Sequence, residues 1–133
     1  MSHRPRSLSM STRVTITRKH KNGTLKSRTD YVGYKKDGIE MIFDDNLRMI
    51  LMAHYVDNRL NGKYICLNND CINEYNYHNG VLDGPFIERK SDGSTIEGEY
   101  MNGKKYEYDT NNTSTESPRT EIIFDTNGVA KCL

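Results

Sequence analysis

Residues 55–65 read YVDNRLNGKYI, and residues 77–87 repeat that pattern as YHNGVLDGPFI. At this offset of 22 residues the two stretches match at tyrosine, leucine, glycine and isoleucine, and Tyr64 aligns with Phe86. Residues 98–105, GEYMNGKK, begin a third copy that lacks the later glycine. A fixed period of this size indicates a repeat array, in which no single unit can bury its own apolar surface.

Turn-forming sequences recur through the chain. The first four are 22 to 24 residues apart, a weaker one follows, and the last lies near the C-terminus: Asn22-Gly23, Asp44-Asp45-Asn46, Asn68-Asn69-Asp70, Ser91-Asp92-Gly93, Asn111-Asn112 and Thr126-Asn127-Gly128. These residues tolerate the positive φ angles of tight hairpin turns, and strand-forming residues flank them. The pattern predicts an all-β fold, an open antiparallel meander of about five to six β-hairpins in an elongated, solenoid-like array.

Two of these stretches resemble a known repeat. Residues 98–104, and residues 77–80 followed by Leu82-Asp83-Gly84, are similar to the degenerate form of the MORN (membrane occupation and recognition nexus) repeat. The resemblance is specific over residues 54–108 and extends from about 31 to 132. Asp57-Asn58 replaces Asn-Gly in one copy, residues 105–107 replace Leu-x-Gly in another, and the family's common tryptophan is absent.

The pattern also predicts the core of the array. Glycine allows sharp bends and close backbone approach where the chain passes from one hairpin to the next. Alternate aromatic side chains on one sheet face then stack between hairpins, with Tyr75 and Tyr77 on the same face of one strand. We predict that this ladder is core and does not bind a ligand; its members are Tyr55, Leu60, Gly62, Tyr64, Tyr77, Leu82, Gly84, Phe86, Tyr100 and Gly103.

Composition indicates a single domain with a thin core. The chain has 133 residues, of which 35% are hydrophobic, and an array needs only contacts between neighbouring units. We predict a basic, flexible N-terminal arm over residues 1–12 and a repeat domain over residues 13–133. Residues 45–54 could form a short helix after good N-cap residues, but their register with the other hairpins favours a strand buried on both faces.

The three cysteines are consistent with an intracellular protein. Cys66 and Cys71 flank the third turn, so a two-residue Asn68-Asn69 loop would make them a facing cross-strand pair. Two reduced, packed thiols are the favoured interpretation, since the chain shows no secretory signal. No segment has the length of a transmembrane span, which predicts a cytoplasmic or nuclear protein that is not secreted.

Motifs for catalysis, metal binding or cofactor binding are absent from the sequence. The four histidines are scattered, and no Cys-x-x-Cys or glycine-rich phosphate loop occurs. Glu97, Glu99, Glu107 and Asp109 could supply an acid and a base, but alternating charge on an outer sheet face is the favoured explanation. We therefore predict no enzyme and no cofactor.

Charge is concentrated at the N-terminus. Residues 1–29 carry eight bases and no acid, whereas the remaining residues carry 11 bases and 18 acids. Such asymmetry suggests an anionic partner, and the candidate anion contacts are Arg4, Arg6, Arg13, Arg18, Lys19, Lys21, Lys26 and Arg28. They could bind nucleic acid or anionic lipid, or they could solvate the chain or pair with the acidic array of a neighbouring subunit.

The resemblance to MORN arrays implies a function, since such arrays commonly act as scaffolds and often self-associate. We expect a non-catalytic protein-interaction module that forms a homodimer. The alternatives are an adaptor for anionic lipid or nucleic acid and an antitoxin-like binding protein. The richness in asparagine, isoleucine and tyrosine is typical of AT-rich coding, as in protists and the large DNA viruses of amoebae, where degenerate MORN-like proteins are numerous.

Overall fold

Ten β-strands make up the part of the chain that the computed structural model describes, residues 12–108. They are β1 (Arg13–Lys19), β2 (Leu25–Val32), β3 (Lys35–Phe43), β4 (Met49–Val56), β5 (Arg59–Asn68), β6 (Cys71–His78), β7 (Val81–Leu82), β8 (Gly84–Arg89), β9 (Thr95–Met101) and β10 (Lys104–Glu107). Almost all of the predicted N-terminal arm and the last two predicted turns lie outside the described residues.

The strands form one open antiparallel meander. Each long strand pairs with the next long strand along the chain, and the short β7 pairs with β6. The order from β1 to β10 does not close into a barrel, so the sheet has two ends. Strands account for 71% of the described residues, and these contain no helix. The predicted all-β meander of hairpins is confirmed.

Four two-residue connections lie at one end of the sheet. Asp57-Asn58 and Asn79-Gly80 have positive φ at both residues, as does Asn102-Gly103, while Gly33 alone has positive φ in the first connection. Positive φ at both central residues is what a type I′ turn requires, and its twist matches that of the flanking strands. The turns predicted from Asn22-Gly23 to Ser91-Asp92-Gly93 lie at the opposite end.

The third of these predicted turns is displaced by one residue. Its central residues are Asn69 and Asp70, with φ of 49° and 65°. Cys71 is therefore opposite Asn68, and Cys66 is opposite Asn73. The predicted facing pair of Cys66 and Cys71 is wrong. Cys71 has a free thiol, whereas Cys66 is disulfide-bonded, so the prediction of two reduced thiols is wrong for Cys66.

The segment that could have been a helix is strand β4. Within β4, Ala53 is fully buried, Val56 is exposed and the other residues are partly buried. The prediction of a strand buried on both faces is therefore wrong, because the described sheet is a single layer and neither face of β4 is fully covered within it.

One structural unit occurs three times. In each, three residues of one strand lie opposite a single polar residue of the preceding long strand, forming a bulge. The three bulges are residues 37–39, 61–63 and 83–85, and the polar residues opposite them are Asp30, His54 and Asn76. Each polar side chain hydrogen-bonds the backbone of the bulge: Asp30 accepts from Ile39 N at 3.1 Å, His54 Nδ1 lies 3.1 Å from Lys63 O, and Asn76 donates to Pro85 O at 2.9 Å.

The middle residue of each of these three bulges is glycine. Gly38, Gly62 and Gly84 have φ of 123°, 115° and 116°, a region that side-chain-bearing residues rarely adopt. Each lies opposite a tyrosine of the next strand, with Gly38 opposite Tyr55, Gly62 opposite Tyr77 and Gly84 opposite Tyr100. The missing side chain leaves room beside the ring, as in aromatic rescue of strand glycines.

The core is on the face that these tyrosines share, here called the aromatic face. Tyr75 and Phe86 are stacked with ring centroids 6.4 Å apart, and Phe86 and Tyr100 are 5.1 Å apart. Among the predicted core residues, Tyr77, Leu82, Phe86 and Tyr100 are buried, whereas Tyr55, Leu60 and Tyr64 are partly buried. Gly103 has φ of 89° within its turn. The buried apolar residues therefore cluster in β5 to β9.

Candidate functional site

The predicted anion contacts that the structure describes are all in the β1–β2 hairpin. Arg18, Lys19, Lys21 and Lys26 are exposed, and no ion pair within residues 12–108 involves them. Arg13 and Arg28 instead pair with carboxylates of the sheet. Arg4 and Arg6 lie outside the described residues. The hairpin therefore presents four exposed cations beside two that are already neutralised.

The two paired arginines, Arg13 and Arg28, both act on the carboxylate of Asp30. Its carboxylate is 3.6 Å from Arg28 Nη2 and accepts hydrogen bonds from Thr15 Oγ1 and Ile39 N. Burial alone would raise the pKa of Asp30, but these hydrogen bonds and the charges of Arg28 and Arg13 hold it below its ordinary value. Arg13 also pairs with Asp37 at 3.2 Å. Both arginines thus stabilise the first bulge.

The face opposite the aromatic face carries an aliphatic patch. Because side chains alternate along a strand, the register places on this face the residues Ile39, Met41, Ile50, Met52, Ile65, Leu67 and Ile72. None of them is fully buried, and Ile72 is 48% exposed. The sequence carried this signal as alternation in β3 to β5, but only the register shows that the strands contribute to one patch.

A buried polar network crosses the aromatic face near β10. Glu88 accepts hydrogen bonds from the Tyr75 hydroxyl at 2.6 Å and from Lys105 Nζ at 2.7 Å. Lys105 is 5% exposed, and its ammonium lies 4.9 Å from the centre of the Phe86 ring. Burial, followed by the hydrogen bond to Glu88, raises the pKa of Tyr75 above its ordinary value. The phenol and the ammonium both donate to Glu88, so the arrangement ties β6, β8 and β10 together.

Exposed apolar side chains form a row at the two-residue turns. Tyr34 is 96% exposed, and Val56, Val81 and Met101 are each between 42% and 49% exposed. Basic residues adjoin this row, with Lys35 and Arg59 close to the first two members in the chain. The row was not predicted from the sequence, where each member is a single apolar residue beside a turn.

Within residues 12–108 no group of histidine, cysteine, aspartate and glutamate side chains is arranged to hold a metal ion. The same residues include no helix with the length and hydropathy that crossing a membrane requires. Three surfaces in the described part of the chain could engage another molecule: the aliphatic patch, the β1–β2 hairpin and the row at the turns. Comparison of the chain with models of protein families, with curated proteins and with solved structures gave no significant match.

Proposed function

We propose that the chain is a non-catalytic protein-interaction module of MORN-type units that associates with itself. The observation that carries this proposal is the aliphatic patch, which a single-layer sheet leaves partly exposed on four neighbouring strands. Contiguous apolar patches of this kind are typical of interaction sites. A second copy of the chain would cover the patch with an equally apolar surface, as in the packing of two sheets face to face.

The oligomeric state tests this function. Light scattering over a range of concentrations should show a dimer of the wild-type chain, and Ile72→Asp should shift it to monomer, because a carboxylate would be buried without a partner. Ile72 is suited to the test since its exposure lets the variant fold. Thr12→Asp, which adds the same charge at an exposed position just before β1 and away from the patch, is the control. A wild-type chain that stays monomeric at high concentration contradicts the proposal.

A second candidate function is binding to an anionic lipid surface, and the row of exposed apolar residues with adjoining bases favours it. Such a row could enter the interface while bases meet the headgroups. Vesicles containing phosphatidylserine should carry the wild-type chain upward in a flotation gradient, and Tyr34→Ser with Met101→Ser should abolish this. Leu47→Ser removes an apolar side chain that is 63% exposed at the opposite end of the sheet and should have no effect. Equal flotation of all three proteins would refute this candidate.

A further inference from the structure

The outer edge of β1 is open within the described sheet. β1 pairs with β2 on one side, and every one of its seven residues is exposed. Val14 and Ile16 are 50% and 41% exposed and lie on the aromatic face. A strand edge of this length presents unpaired backbone donors and acceptors that can accept a further strand.

Charge indicates which strand would fit. Arg18 and Lys19 end β1, and Lys21 and Lys26 follow in the turn and at the start of β2. These four cations have no ion-pair partner within residues 12–108, unlike Arg13 and Arg28. An added strand could place carboxylates near these cations beside the open edge. Its apolar residues would lie next to Val14 and Ile16 on the aromatic face.

The same charges oppose pairing of two β1 edges. In an antiparallel pair centred on Ile16, Arg13 of one copy would be opposite Lys19 of the other, and Val14 would be opposite Arg18. Like charges directly opposite each other on neighbouring strands are destabilising. The edge is therefore unsuited to a second copy of itself, and self-association is left to the aliphatic patch.

We propose that β1 is the docking strand for an extended acidic segment of a partner protein, which alternates apolar and acidic residues and adds a further strand to the sheet. Backbone hydrogen bonds would supply affinity, and carboxylates close to the cluster of four cations would supply selectivity. This interaction goes beyond self-association and does not depend on it.

The probe for this site is a labelled peptide, acetyl-EVEVEVE-amide, whose length matches β1. Its binding is measured by fluorescence anisotropy. Acetyl-EVEPEVE-amide keeps every charge but has a central proline, which cannot donate to a β-ladder, so we expect its binding to be at least about tenfold weaker. Acetyl-KVKVKVK-amide should not bind.

Variants of the protein assign the site. Removing three of the cations with Arg18→Ser, Lys19→Ser and Lys21→Ser should weaken binding of EVEVEVE by about tenfold or more, on the scale of a few exposed ion pairs. Lys35→Ser, Lys63→Ser and Lys90→Ser remove the same charge from exposed positions on other parts of the sheet and should leave binding unchanged. Circular dichroism confirms that both triple variants are folded.

The outcomes separate this inference from the proposed function. Binding of EVEVEVE by a wild-type chain that is monomeric would support the docking strand and reject self-association. A dimer that binds no peptide would reject the docking strand alone. Equal binding of EVEVEVE and EVEPEVE would overturn the inference. So would duplex DNA of similar charge that binds more tightly than EVEVEVE and whose binding is weakened equally in the first triple variant. Either result would show that the edge attracts polyanions without adding a strand.

Discussion

At the scale of single residues, glycine is required where the chain bulges. Gly84 has φ of 116°, and a Cβ added there would lie 3.2 Å from Asn76 Cβ. Gly23, at the tip of the first hairpin, has φ of 90°, and a Cβ there would meet nothing within 4 Å. The two glycines therefore differ in the space around them more than in their backbone conformation.

Gly84→Val should lower the free energy of unfolding by about 1–3 kcal/mol, because a β-branched residue would be strained at this φ and crowded by Asn76. Gly23→Asn should cost little, since asparagine tolerates a left-handed turn position. Chemical denaturation of both variants measures the difference. Equal losses would contradict the distinction between bulge and turn tip.

Gly98 is constrained by packing instead of by φ. A Cβ at this position would collide with the carbonyl oxygen of Tyr106 and lie 2.8 Å from Phe86 Cε1. Gly98→Ala should therefore destabilise the chain by about 1–3 kcal/mol through overpacking. Gly93→Ala, at a position with open space around it, should cost less even though its φ is positive. If the melting temperature falls no more for Gly98→Ala than for Gly93→Ala, packing does not constrain Gly98.

Asp30 should make stability depend on pH in the acid range. The pKa of its carboxyl is lower in the folded chain than the ordinary 3.8, so its stabilising effect is complete above the unfolded pKa. That effect is lost as the pH falls through the folded pKa. Compared with Asp30→Asn, the wild-type chain should be more stable at neutral pH and should lose more stability below about pH 4. Denaturation at several pH values tests this, and parallel curves for the two proteins would contradict it.

At the scale of elements, the hairpins could be predicted from the sequence but the exact turn could not. Asn68, Asn69 and Asp70 all tolerate positive φ, so composition alone does not choose the two central residues. Pairing of Leu67 with Ile72 across the turn fixes them. Displacing the turn by one residue moves the pairing by two positions, so Cys66 lies opposite Asn73 and Cys71 lies opposite Asn68.

The first bulge was not identified from the sequence. Lys36-Asp37-Gly38 corresponds in structure to Leu60-Asn61-Gly62 and Leu82-Asp83-Gly84, but it has lysine where the others have leucine. Backbone hydrogen bonds show the equivalence: Asn58 N donates to Lys36 O, Gly80 N to Leu60 O and Gly103 N to Leu82 O. The signals in the sequence were the spacing of the three glycines and the match of Tyr31-Val32 to Tyr55-Val56 at the same offset as Gly38 to Gly62.

The polar residue opposite each bulge should stabilise it. Asn76→Ala removes the donor to Pro85 O, 2.9 Å away, and leaves the bulge without its side-chain hydrogen bond. We expect a loss of about 1 kcal/mol in unfolding free energy. Asn22→Ala, which removes side-chain hydrogen bonds in a hairpin turn instead of at a bulge, serves as the comparison. A smaller loss for Asn76→Ala than for Asn22→Ala would argue against this role.

Across the whole sheet, the sequence predicted the aromatic ladder on one face but not the aliphatic patch on the other. Tyr75 and Ile65 both lie in alternating strands, yet the first is in the core and the second is in the aliphatic patch. The register of their two strands places Tyr75 opposite Tyr64 and Ile65 opposite Glu74 on the other face. Surfaces assembled from many strands, such as the patch and the row at the turns, can be recognised only after that register is known.

The position of the core has a consequence for motion. No fully buried apolar side chain precedes Ala53 among the described residues, and the buried residues of the β1–β2 hairpin, Thr29 and Asp30, are polar. Local opening needs least free energy where few apolar contacts must be broken. Amide hydrogens of β1 and β2 should therefore exchange with deuterium fastest and those of β6 and β8 slowest, with the rates falling stepwise along the meander. Docking of a strand on β1 should therefore slow amide exchange throughout the first hairpin, including at residues that the docked strand does not contact.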